Sequence, residues 1–87
     1  MKRVFKYELP FEDSFGIDLP RGAEILSVQV QSGRPQLWAM VDQGRPMERR
    51  YFEVRGTGHE LGDVGAFVAT IQLHELVFHI FEAATAK

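Results

Sequence analysis

From Glu24 to Gln31 the chain alternates residue by residue. Leu26, Val28 and Val30 fall on one face, and Ile25, Ser27, Gln29 and Gln31 on the other. A period of two belongs to a β-strand, because successive side chains of an extended chain point to opposite faces. The same period returns along the sequence. Between Arg3 and Leu9, Phe5, Tyr7 and Leu9 alternate with Val4, Lys6 and Glu8, and Pro10 closes the run. Proline has no N–H to give to a ladder. Phe15 to Leu19 is a short strand closed by Pro20-Arg21-Gly22, and Phe11 to Ser14 before it is a loop. Gln36 to Asp42 and Met47 to Arg55 supply two more strands, each preceded by a Gly-Arg-Pro turn.

The C-terminal third admits two readings. Val64 to Ala84 contains helix-tolerant Ala, Leu, Glu and Gln. It also contains Phe67, Val68, Thr70, Ile71, Val77, Phe78, Ile80 and Phe81, which suit a pleated surface. The β-formers and their alternation favour two strands, 64–73 and 76–83, joined tightly at His74-Glu75. The tail 83–87 is expected to be frayed or a short helical stub. The expectation is a mainly β fold. It has about seven short antiparallel strands in a small sandwich or barrel, in meander order, as one domain over 1–87.

Composition narrows the function classes. A hydrophobic fraction of 45% is too high for disorder. A net charge of −2 gives no domain-wide basic footprint for nucleic acid. The absence of cysteine excludes disulfides and thiolate chemistry and fits a cytoplasmic setting. No apolar run reaches the 18 or so residues of a membrane helix, and no signal-peptide core follows the basic start. The serines Ser14, Ser27 and Ser32 lack a nucleophile-elbow context. The carboxylates Glu12, Asp13, Glu60 and Asp63 stand on loops, where nothing in the sequence fixes their geometry. Neither enzyme activity, nor a cofactor, nor a metal site built from His59, His74 and His79 is expected.

Two places remain where binding could reside. The strand 36–42 is apolar on both faces, with Leu37, Ala39 and Val41 against Trp38 and Met40. Such a strand is either central and covered, or sits under an interface. Trp, Tyr and Arg are enriched at binding hot spots. Tyr51, Arg49 and Arg50 join the Trp38 surface if strands 36–42 and 47–55 pair. The second place is the glycine-rich loop Gly56-Thr57-Gly58-His59-Glu60-Leu61-Gly62-Asp63. It is either a structural turn or a recognition loop in which Thr57 and His59 meet a partner. With Arg49, Arg50 or Arg55 it could also face an anion such as a nucleotide.

Several segments carry a resemblance. They are Lys6-Tyr7-Glu8-Leu9-Pro10, the run Gly22 to Gln31, Leu37 to Asp42, Gly56 to His59, Ile71 to His74 and Leu76 to Glu82. Together they resemble a family of small proteins of unknown function common in tailed phages and prophages. Relatives often carry extra small residues after the position of His74, whereas here Glu75 leads straight into Leu76. The resemblance brings no assigned activity. It implies a phage or prophage accessory protein in the bacterial cytoplasm, acting by binding a host or phage protein. A component of a defence system such as CRISPR–Cas is one such partner, and a homodimer is another form of association. A virion structural role is the alternative.

Overall fold

The computed structural model describes residues 1–84. Seven strands run along this stretch. They are β1 (Lys2–Glu8), β2 (Ser14–Pro20), β3 (Glu24–Gln31), β4 (Arg34–Asp42), β5 (Met47–Gly56), β6 (Ala66–Leu73) and β7 (Leu76–Glu82). All pairings are antiparallel. They form a three-stranded sheet in the order β1-β4-β3 and a four-stranded sheet in the order β2-β5-β7-β6. The mainly β fold of about seven antiparallel strands is as expected, and of the two forms left open, sandwich or barrel, it is the two-sheet sandwich. Ala83 and Ala84 are not helical, and the rest of the expected stub, 85–87, lies outside the described residues.

The order departs from a meander. β3–β4 and β6–β7 are local hairpins, but β1 crosses to β4 and β2 to β5. The β3–β4 turn places Ser32 and Gly33 at φ 54° and 75°. Two consecutive left-handed residues match the right-handed twist of a hairpin. The second Gly-Arg-Pro segment does something different. Instead of a hairpin, it carries the chain from one sheet to the other, so β4 and β5 do not pair.

Alternate residues of both sheets meet between the layers. Leu37, Ala39 and Val41 of β4 are at most 1% exposed, as are Phe52 and Ile80 opposite, and Leu19 is fully buried. Phe15 stacks on Phe52 at 5.4 Å across the β2–β5 pair. Phe11, in the loop after β1, meets Phe78 edge-on at 5.1 Å and closes one end. Gly65, just before β6, runs so close to β7 that a Cβ there would collide with the Glu82 carbonyl.

Two β-bulges correct the face assignments. The β3 register shifts between Ile25 and Ser27, and the β6 register between Phe67 and Ala69. An extra residue reverses the parity beyond it. Ile25 therefore packs on the core with Val28 and Val30, while Leu26 is left 48% exposed. The unbroken alternation expected for 24–31 had placed Leu26 with Val28.

The turn after β4 is closed by Asp42, whose carboxylate accepts the Gly44 N–H at 3.1 Å. That bond, and then the Met1 amino group 3.7 Å away, hold the Asp42 carboxyl below the ordinary carboxylate value. A depressed carboxyl stabilises the fold above the unfolded value and loses that contribution as pH falls through the folded one. An NMR titration should give Asp42 a midpoint below that of an unstructured Asp; a midpoint at or above it contradicts the contact. Substitutions should separate core from bulge. Phe52→Ala should cost about 3–5 kcal/mol in denaturant unfolding, and Leu26→Ala about 0.5 kcal/mol or less.

Candidate functional site

Trp38 and Met40 are half-buried on the outer face of the three-stranded sheet, opposite the core-facing side of β4. β4 is the central strand, so both neighbours flank this face. Lys6 and Ser27 stand beside Trp38, and Val4 and Glu24 beside Met40. Val4 is 55% exposed, and the bulged Leu26, 48% exposed, stands at the β3 edge of this sheet, where it lines the groove toward β6. Lys6 Nζ reaches over β4 to donate to Gln31 Oε1 at 2.7 Å, and Arg34 Nη1 donates to Glu8 Oε2 at 3.0 Å. The result is an open apolar strip with a polar rim on a rigid sheet. That is the makeup of a protein-contact surface.

The arginines do not join this surface. Arg49, Arg50 and Tyr51 lie on β5, in the other sheet, so the expected pairing of 36–42 with 47–55 fails and the surfaces separate. Arg49 and Tyr51 face outward on the far side of the sandwich. Gly16 makes room for them: a Cβ there would lie 2.8 Å from Arg49 Nε and 3.2 Å from the Tyr51 ring. Arg49 Nη1 donates to Asp18 at 3.3 Å.

Arg50 turns inward. It shares the face of Phe52 and Val54, and its guanidinium forks onto Glu82, with Nε to Oε2 at 2.6 Å and Nη2 to Oε1 at 2.8 Å. Nη1 donates to the Ala23 carbonyl at 2.6 Å. The bonds that Arg50 donates to Glu82 raise its pKa above the ordinary value against the opposing effect of burial. This clamp ties β5, β7 and the β2–β3 turn together, beside an open groove of about 650 Å³ between the bulged edges of β3 and β6. It is a structural ion pair. Arg50 was expected at a binding surface, but its donors are already committed within the fold. Glu82 was missed. The signal was present: Glu82 has the parity of buried Ile80, and Arg50 that of Phe52. A charge on an apolar face calls for an opposite charge on a neighbouring strand.

The glycine loop is pinned from several sides. The His59 N–H donates to the Gly56 carbonyl at 3.1 Å, and the His59 ring lies over Gly56, where a Cβ would come within 3.0 Å of it. Arg55 Nε donates to the Leu61 carbonyl at 3.0 Å. Thr57 Oγ1 lies 3.4 Å from the Val77 carbonyl, to which it donates, and 2.8 Å from His79 Nε2. On the other side of the ring, His79 Nδ1 and Thr70 Oγ1 are hydrogen-bonded at 2.9 Å, so both ring nitrogens are partnered. His79 is thereby a fastener between the glycine loop, β7 and β6. His74 sits elsewhere, at φ 58° in the β6–β7 turn. Among the described residues, no three His, Asp or Glu side chains are grouped to hold a metal ion. Glu53, 5% exposed, lies 3.7 Å from Arg55 and was also missed in the sequence.

A family model described as a domain of unknown function, DUF7352, matches residues 1–87. The chain belongs to the DUF7352 family. No curated protein and no solved structure matches it. For this DUF7352 chain the geometry is therefore the guide. It singles out the Trp38 face as open, and shows the Arg50 and His79 groups to be occupied within the fold.

The two arginines should behave differently. Arg50→Ala leaves a half-buried carboxylate and the Ala23 carbonyl without donors, and should cost about 2–4 kcal/mol in denaturant unfolding. Arg49→Ala, at a pair more than half exposed, should cost about 0.5 kcal/mol or less. Equal effects would contradict the clamp.

Proposed function

We propose that this protein is a non-enzymatic binding module whose working surface is the outer face of the β1-β4-β3 sheet around Trp38 and Met40. The carrying observation is the double use of β4. Its inner side chains are fully packed in the core, yet it still presents a Trp and a Met outward with exposed Val4 nearby. A partly exposed Trp on a rigid sheet can bury a large area at little entropic cost. The resemblance to small phage and prophage proteins favours a host or phage protein as the partner, within the bacterial cytoplasm. A component of a defence system, CRISPR–Cas among them, is the class we favour. The anion-binding alternative draws no support from the geometry, because Arg49, Arg50 and Arg55 all donate to acceptors of the chain itself.

The test is affinity capture from host and phage-infected lysates, followed by reconstitution of the captured pair from purified components. Trp38→Ala should weaken the reconstituted complex by at least about tenfold, as expected for an aromatic anchor, while His59→Ala leaves it unchanged. A complex indifferent to Trp38 and sensitive to His59 would move the working surface to the glycine loop. A complex formed only with capsid or tail proteins of assembled particles would favour a virion role.

A further inference from the structure

A sandwich of two open sheets has four edge strands, here β1, β3, β2 and β6. Unpaired edges invite association, and natural sheets blunt them. Among the described residues, three of these edges carry a recognised device. β3 and β6 are bulged, and β2 holds Gly16 and Asp18 and ends at Pro20. β1 is different. Its register against β4 runs without a break from Lys2 to Glu8, with no glycine, proline or bulge.

Its free hydrogen-bonding groups can be identified. The Leu9 N–H donates to the Pro35 carbonyl at 3.1 Å. In an antiparallel ladder the bonded residues alternate. Leu9, Tyr7, Phe5 and Arg3 therefore bond to β4, and the N–H and C=O groups of Lys2, Val4, Lys6 and Glu8 point away from it. Val4 and Phe5 are 55% and 37% exposed.

We propose that this edge pairs with the same edge of a second copy of the chain, antiparallel, about a two-fold axis at Phe5. A two-fold axis requires one residue to face itself, so few registers exist. Centring on Tyr7 pairs Lys6 with Glu8 but sets Val4 against Pro10, which has no N–H to give; charge separates the others. Centring on Val4 sets Lys2 against Lys6. Centring on Lys6 sets it against itself. Centring on Phe5 places Lys2 opposite Glu8 twice, Arg3 opposite Tyr7 twice, Val4 opposite Lys6 twice, and Phe5 opposite Phe5. In that register the outward groups of Val4 and Lys6, and of Lys2 and Glu8, exchange main-chain hydrogen bonds. The two Phe5 residues form the non-hydrogen-bonded pair, where side chains come closest. Lysines usually guard an edge, but here each Lys2 meets a carboxylate. Glu8 already accepts from Arg34, and a carboxylate has room for a second donor. The product is a continuous six-stranded sheet that joins two Trp38 faces on one side.

Sedimentation velocity across a concentration series tests this. The chain should move toward twice its 9.9 kDa mass as concentration rises. Lys2→Glu and Glu8→Lys should each weaken association about tenfold, because two favourable cross-strand pairs become repulsive. The double variant should restore it. Trp38→Ala should leave it unchanged, so this result stands apart from the partner-binding test. A monomer at every soluble concentration overturns the proposal. So does a dimer indifferent to the charge swaps, or one lost on Trp38→Ala.

Discussion

Side chains from both sheets interleave in one thin layer, and nearly everything else in the protein follows from how that layer is filled. Leu19, Leu37, Ala39, Val41, Phe52 and Ile80 occupy it at 1% exposure or less. In a domain of 87 residues the buried fraction is modest, so few apolar side chains are free for other duties. The layer also fixes the long-range pairings. β1 must cross to β4, and β2 to β5, to place Leu9, Phe15, Ile17 and Leu19 inside. Those crossings leave β1 at an outer edge and β4 in the centre of a three-stranded sheet, and this makes one face of that sheet available for binding.

The strands were legible because their signal is local. Alternation and turn residues placed seven elements to within a residue or two. The pairing was not legible, since it depends on which hydrophobic faces meet across the layer. Gly44-Arg45-Pro46 reads like Gly33-Arg34-Pro35, yet the first links sheets and the second closes a hairpin. The bulge at Leu26 was also hidden, because an extra residue leaves the local pattern intact and shows only against the partner strand. Trp38 and Met40 were recognisable from the double apolarity of their strand. The Arg50–Glu82 clamp was legible in principle, as two charges on apolar faces, but their meeting required the β5–β7 register. His79 was read only as one of three histidines unfit for a metal site; its two threonine partners come from β6 and from the loop after β5, beyond any reach of spacing.

The polar groups divide into those spent on the fold and those left over. Arg50, Glu82, His79, Thr57 and Thr70 hold strands and turns together. Charge-assisted and paired contacts of this kind specify one arrangement of the sheets, a use for which a small core has need. Apolar side chains are left over on both sheets, with Met47, Phe67 and Leu76 exposed on the four-stranded one. On the three-stranded sheet two features lie together, the strip of Trp38, Met40 and Val4 and the unbonded main-chain groups of β1. A binding role through the β1-β4-β3 sheet accounts for both with one surface.

The central claim is that β1 offers an open, regular edge beside the Trp38 face. Residue-resolved amide hydrogen exchange at low and high protein concentration tests it most directly. The account predicts that Phe5, Tyr7 and Leu9 are protected at both concentrations, through their bonds to β4. Val4 and Lys6 should exchange freely when dilute and gain protection as concentration rises. Val4 and Lys6 amides that are protected even when dilute, or that stay unprotected at every concentration, would contradict it.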